Sequence, residues 1–124
     1  MEEERSGVCK GGPTLIFACS GAADVGQLAD LTARRMMKEG AGQMFCLAGI
    51  GGRVEPIMKK TLSAERIFAI DGCPLDCVKK TLEEAGIPGA IHLRITDLGM
   101  EKGKSPAAEE NIAKAVARGK DLLD

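Results

Sequence analysis

Five cysteines stand in this chain of 124 residues, and four of them fall in a pattern that suits metal or thiol chemistry. Cys19, Cys46 and Cys73 recur at intervals of ~27 residues, about the length of one strand-plus-helix repeat. Cys77 lies four residues beyond Cys73. Thiolates are soft ligands, so four in tetrahedral array select zinc or an iron–sulfur cluster over magnesium or calcium. A second chemistry needs the same geometry: the dipole and free N–H groups of a helix start favour a thiolate, which is a nucleophile. The Cys73/Cys77 spacing is C-x3-C, which on a helix puts both sulfurs on one face, unlike a thioredoxin C-x-x-C.

Positioning such residues requires ordered elements around them. Thr14 to Cys19 is a short apolar run between Pro13 and Ser20-Gly21, the pattern of a strand buried on both faces. Val25, Leu28, Ala29, Thr32 and Met36 then repeat at helical spacing up to Gly40, with Asp24 and Gln27 placed as a capping box. A second strand is expected over 43–47, ending at Cys46. The glycine-rich run 48–52 leads to a helix on Val54, Ile57, Met58 and Leu62, with Pro56 in its first turn. Arg66 to Ile70 reads as a third strand, followed by a helix opening at Cys73-Pro74 and stopping at Gly86. Ala90 to Ile95 gives a fourth strand, and Ser105-Pro106 opens a last helix on Ile112, Val116, Gly119 and Leu123.

Strands alternating with helices predict an α/β fold, a small open doubly wound parallel sheet of about four strands with helices on both faces. Residues 1–12 lack periodicity and are expected to be a flexible tail carrying Cys9; residues 13–124 are expected to form a single domain. In such sheets ligands sit beyond the carboxyl ends of the strands, where Cys19, Cys46 and Cys73 all fall. Glycines at 21, 49, 51, 52 and 72 permit the loops to lean inward there.

Composition narrows the function classes. A formal net charge of -1 and the absence of a Lys/Arg stripe interleaved with aromatics argue against nucleic acid as a partner. No apolar run approaches the ~20 residues of a membrane span. The acidic start Met-Glu-Glu-Glu-Arg is unlike a secretory or transit peptide, so a cytoplasmic location is expected. A reducing compartment leaves thiols for metal or chemistry instead of disulfides.

Asp71-Gly72-Cys73-Pro74 with Cys77, Cys19-Ser20-Gly21-Ala22, and Cys46-Leu-Ala-Gly49-Ile-Gly51 together resemble the DGC-domain family, over roughly 15–98. That family takes its name from the Asp-Gly-Cys motif, here residues 71–73. The resemblance implies a zinc-binding protein whose four chelating cysteines correspond to Cys19, Cys46, Cys73 and Cys77. It implies no reaction.

Other residues admit plainer roles. Asp71 suits a carboxylate that accepts loop N–H groups or orients a ligand, or else a turn residue; Asp76 suits an acid at a helix start, and His92, the single histidine, a partly exposed strand position. Arg53 is placed to neutralise a thiolate cluster, and the run 48–52 to offer N–H groups to an anion. The leading expectation is a small cytoplasmic protein holding one zinc ion through the four cysteines, in a structural or metal-handling role. The competing expectation is a thiol-redox or iron–sulfur electron-transfer protein using Cys73 and Cys77. Protein partners are left open.

Overall fold

The computed structural model describes residues 13–124, so the expected tail and Cys9 lie outside the described residues. Four strands, β1 (Thr14–Ala18), β2 (Gln43–Met44), β3 (Arg66–Asp71) and β4 (Ile91–Arg94), form one sheet in the order β2-β1-β3-β4. All three pairings are parallel, with Ile16 opposite both Met44 and Phe68, and Ile70 opposite Leu93. The α/β class expected from the alternation is therefore the observed one. The strands run shorter than their apolar segments because the chain leaves the sheet at Cys19 and at Phe45.

Alternate β1 residues serve opposite cores, as a two-residue period requires. Ile16 and Ala18 pack with α1 (Asp24–Lys38) and the last helix, α5 (Glu109–Leu123), through Leu28, Met36, Ile112 and Val116. Leu15 and Phe17 pack on the other face with α2 (Leu47–Gly51), α3 (Glu55–Leu62) and α4 (Cys77–Glu84), through Ile50, Ile57, Val78 and Leu82. Each fully buried Leu, Ile or Phe contributes about 1.5–3 kcal/mol by leaving water. The sheet is thus held from both sides.

Three helix ends close by one device. After α1, Gly40 has φ +85° and donates to Met37 O, while Ala41 donates to Met36 O. Gly86 and Ile87 repeat this on Glu83 and Leu82 after α4. These are left-handed caps that satisfy the last helical carbonyls, and glycine enters them without a Cβ penalty. After α2 the same position holds Arg53 at φ 56°. Its Nη1 donates to Ile50 O at 2.8 Å and its Nη2 to Glu84 O at 3.1 Å. The guanidinium therefore caps α2 and α4, which corrects the expectation that Arg53 serves the thiols.

Several boundaries differ from the sequence expectation. Asp24 lies inside α1, with Ala23 in the cap position, and forms no box with Gln27. Its carboxylate instead accepts from the N–H groups of Val25, Gly103 and Ser105 at 2.7, 2.8 and 3.0 Å. That clamp holds 101–105 as a strap, so α5 starts at Glu109 rather than at Ser105-Pro106. Residues 47–51 are a short helix, not an open glycine loop, and Gly49 N donates to the Cys46 sulfur. Leu62 is 63% exposed, and α3 buries Thr61 in its place.

Candidate metal centre

The strand order places the reversal of winding between β1 and β3, because β2 lies outside β1 on one side and β4 outside β3 on the other. Crevices at the carboxyl ends of such a switch are the usual ligand positions of open α/β sheets. Cys19 follows β1 and Cys73 follows β3, so these two residues flank the reversal. Cys46 follows β2 by two residues. Sequence spacing and strand order together deliver these three cysteines to one rim.

Glycines press two of the loops together. A Cβ on Gly72 would lie 2.7 Å from Val25 O, and one on Gly26 would lie 2.7 Å from Gly21 N. Only backbone fits between the Cys19–Gly21 loop, the start of α1 and the Gly72–Cys73 loop. Ser20, at φ 50°, and Asp76, at φ 54°, each adjoin a cysteine and take the left-handed conformation without being glycine. Such strain is kept where surrounding structure fixes it.

The helix after the Asp-Gly-Cys motif starts at Cys77, not at Cys73. Asp76 N donates to Cys73 O at 3.1 Å, closing a turn over 73–76 that suits Pro74 at its second position. Cys73 packs toward the α1/α5 face, whereas α4 buries Val78 and Leu82 on the opposite face. The turn carries the chain over the rim, and the two sulfurs do not share one helical face.

Asp71 organises this crossing. Its side chain is 1% exposed; Oδ1 accepts from Val78 N at 2.7 Å and Oδ2 from Lys79 N at 3.2 Å. These are orphan N–H groups of the first turn of α4, and a carboxylate at a helix start is stabilised by the dipole as well. The residue at the cap position, Asp76, makes no capping hydrogen bond. It accepts instead from Arg94, Nε at 2.9 Å and Nη2 at 2.6 Å. Those bonds hold the Asp76 carboxyl below its ordinary range despite partial burial. Of the roles open to Asp71, the one seen is to accept backbone N–H groups, here those that start the cysteine-bearing helix.

His92 completes the network. Its Nε2 lies 2.9 Å from Asp71 Oδ2, so the ring proton belongs on Nε2, and its side chain is 19% exposed. Among the described residues, Asp71, Asp76 and His92 form the one group of three or more metal-type ligand atoms within 4.8 Å of one another. Each carboxylate oxygen of the trio already faces a donor, Asp71 through the Val78 and Lys79 N–H groups and His92, and Asp76 through Arg94. The trio braces β4 against the turn and the start of α4.

The four cysteines are all free thiols, Cys19 and Cys73 half-buried, Cys46 and Cys77 exposed. Cys46 Sγ accepts from Gly49 N at 3.4 Å at the start of α2. Lys102 Nζ, on the strap clamped by Asp24, lies 3.9 Å from Cys73 Sγ. Cys19 and Cys46 share an open groove of about 580 Å³. No three of the sulfurs fall within 4.8 Å of one another, whereas thiolates around one zinc lie ~3.8 Å apart. The donor set therefore fits zinc in ligand type and in its shared rim, and metal binding would require the sulfurs to draw together.

The family model described as "DGC domain" matches residues 15–118, so the chain belongs to the DGC-domain family. It is similar to the Pseudomonas aeruginosa protein "Anaerobic and virulence modulator AnvM", 39% identical over 88 residues that cover 71% of this chain and 67% of the relative. No solved structure matches the chain. Among the described residues, no helix is long and apolar enough to cross a membrane.

Proposed function

We propose that this DGC protein binds one zinc ion through Cys19, Cys46, Cys73 and Cys77 in the cytoplasm, and that the ion has a structural or metal-handling role. The observation that carries the reading is the delivery of the free thiols Cys19, Cys46 and Cys73 to one sheet rim by the loops after β1, β2 and β3, with Cys77 opening the helix that follows. Zinc bound there would tie these loops together. A site closed by four sulfurs leaves no coordination position for substrate. The name of the relative, which speaks of modulation and not of a reaction, agrees with that.

The protein's own residues have defined parts in such a centre. Gly72 lets the Cys73 loop approach α1, Asp71 fixes the helix that begins with Cys77, and Lys102 offers a positive charge beside Cys73. Metal content of protein purified anaerobically tests the reading. About one zinc per chain is expected for wild type, and a large loss for Cys73→Ser; wild type without metal, or a variant that keeps it all, would overturn the proposal.

One contact favours a second reading. Lys102 next to Cys73 suits a thiolate acting in thiol–disulfide exchange. The Cys73 and Cys77 thiols would then close to one disulfide, passing two electrons to a disulfide acceptor. Protein of that kind would be isolated without metal and would cycle with dithiothreitol, whereas an iron–sulfur protein would be brown.

A further inference from the structure

The groove that ends at Cys19 and Cys46 has a cation fixed at its mouth. Arg34 Nε donates to Asp30 Oδ2 at 2.7 Å, and Asp30 Oδ1 accepts from Ser20 Oγ at 2.7 Å. The guanidinium is thereby tied both to its own helix and to the Cys19 loop. Neither Nη of Arg34 makes a hydrogen bond to the described residues, and its side chain is 60% exposed on the groove. An arginine whose Nε is already engaged keeps its two Nη groups in a fork that matches a carboxylate.

The remainder of the groove has a different character. Phe45, Met44 and Leu47 supply apolar surface, and the Cys19 and Cys46 sulfurs are polarizable. Its volume of about 580 Å³ falls within the ~300–1,000 Å³ of small-ligand pockets. A ligand suited to both ends carries a carboxylate and a softer, sulfur-bearing body.

We propose that this groove binds a small carboxylate-bearing sulfur compound of about the size of a tripeptide thiol, with Arg34 taking the carboxylate end-on and Asp30 orienting Arg34. Binding is non-covalent and does not rest on the zinc reading, because Arg34 and Asp30, which read the carboxylate, hold no metal in that reading; Cys19 and Cys46, zinc ligands there, only wall the groove here. The fork reads the anion, and the apolar and sulfur-lined part holds the body.

S-methylglutathione is the probe, because its capped sulfur cannot exchange with the cysteines. Nuclear magnetic resonance titration of the full chain, reduced and metal-free, should give saturable shifts at Cys19, Ser20, Arg34 and residues 44–48. The dimethyl ester of the probe, which lacks both carboxylates, and the Arg34→Gln variant should each bind about tenfold more weakly or worse. Arg34→Lys should fall between, since a lysine keeps the charge without the fork. Asp30→Asn should weaken binding by about threefold or more. Arg34 is exposed, so the Arg34 variants should keep the wild-type fold. Shifts that do not saturate, an ester that binds as well as the acid, or an Arg34→Gln variant with wild-type affinity would overturn the proposal. Unchanged affinity in Asp30→Asn would remove Asp30 from it.

Discussion

Asp71 and Val78 are separated by the whole Cys73–Asp76 turn, yet the Oδ1 of Asp71 accepts the Val78 N–H at 2.7 Å. The Asp-Gly-Cys motif is thereby a self-bracing unit. The aspartate caps the helix, the glycine admits the backbone of α1, and the cysteine is left at the rim. None of the three could exchange places.

Asp71→Ala should cost about 2–3 kcal/mol, because it removes a cap and strands buried donors of α4 and His92. Urea denaturation measures this. Asp71→Asn should cost less, as its amide oxygen can still accept one N–H. Equal stability of Asp71→Ala and wild type would refute the bracing role.

Gly72→Ala should cost about 1–3 kcal/mol, since its Cβ would meet Val25 backbone at 2.7 Å and neither side is a flexible side chain. Gly21→Ala is the control. Nothing lies within 4 Å of its Cβ, so its thermal midpoint should move little.

Much of this arrangement was legible in the chain and some was not, for physical reasons. Gly40 and Gly86 announce their helix ends because a left-handed cap normally demands glycine. Arg53 hides its cap, because its side chain compensates by bonding the carbonyls directly. Cys73-Pro74 mimics a helix start, but Pro74 serves a turn, and the true start waits for Asp76 to adopt φ 54°. The His92–Asp71 contact depends on the β3/β4 register, in which Ala69 faces His92, and no local pattern encodes it. The rim position of Cys19, Cys46 and Cys73 was readable because strand ends share a phase; the spacing of their sulfurs was not.

Arg53→Gly and Arg53→Ala separate the backbone from the side chain. Both lose the carbonyl contacts at Ile50 and Glu84, but only alanine also suffers at φ 56°. The glycine variant should be the more stable by about 0.5–1 kcal/mol in thermal or urea unfolding. The reverse order would mean that the left-handed backbone is not maintained.

Acid should loosen the strap and the rim together. N–H groups of Gly103 and Ser105 hold the Asp24 carboxyl below its ordinary value, and Arg94 does the same for Asp76. A carboxyl depressed in the folded state adds stability above its unfolded pKa, and that contribution is lost as pH falls through the folded value. Stability should therefore decline below about pH 4. Asp24→Asn and Asp76→Asn should each flatten that decline; an acid limb identical to wild type in both would contradict it.

Zinc K-edge X-ray absorption of the loaded protein tests the central claim most directly. Four sulfur neighbours at ~2.3 Å are predicted, with one lost in Cys73→Ser. A first shell of nitrogen and oxygen, as Asp71, Asp76 and His92 would supply, would contradict it.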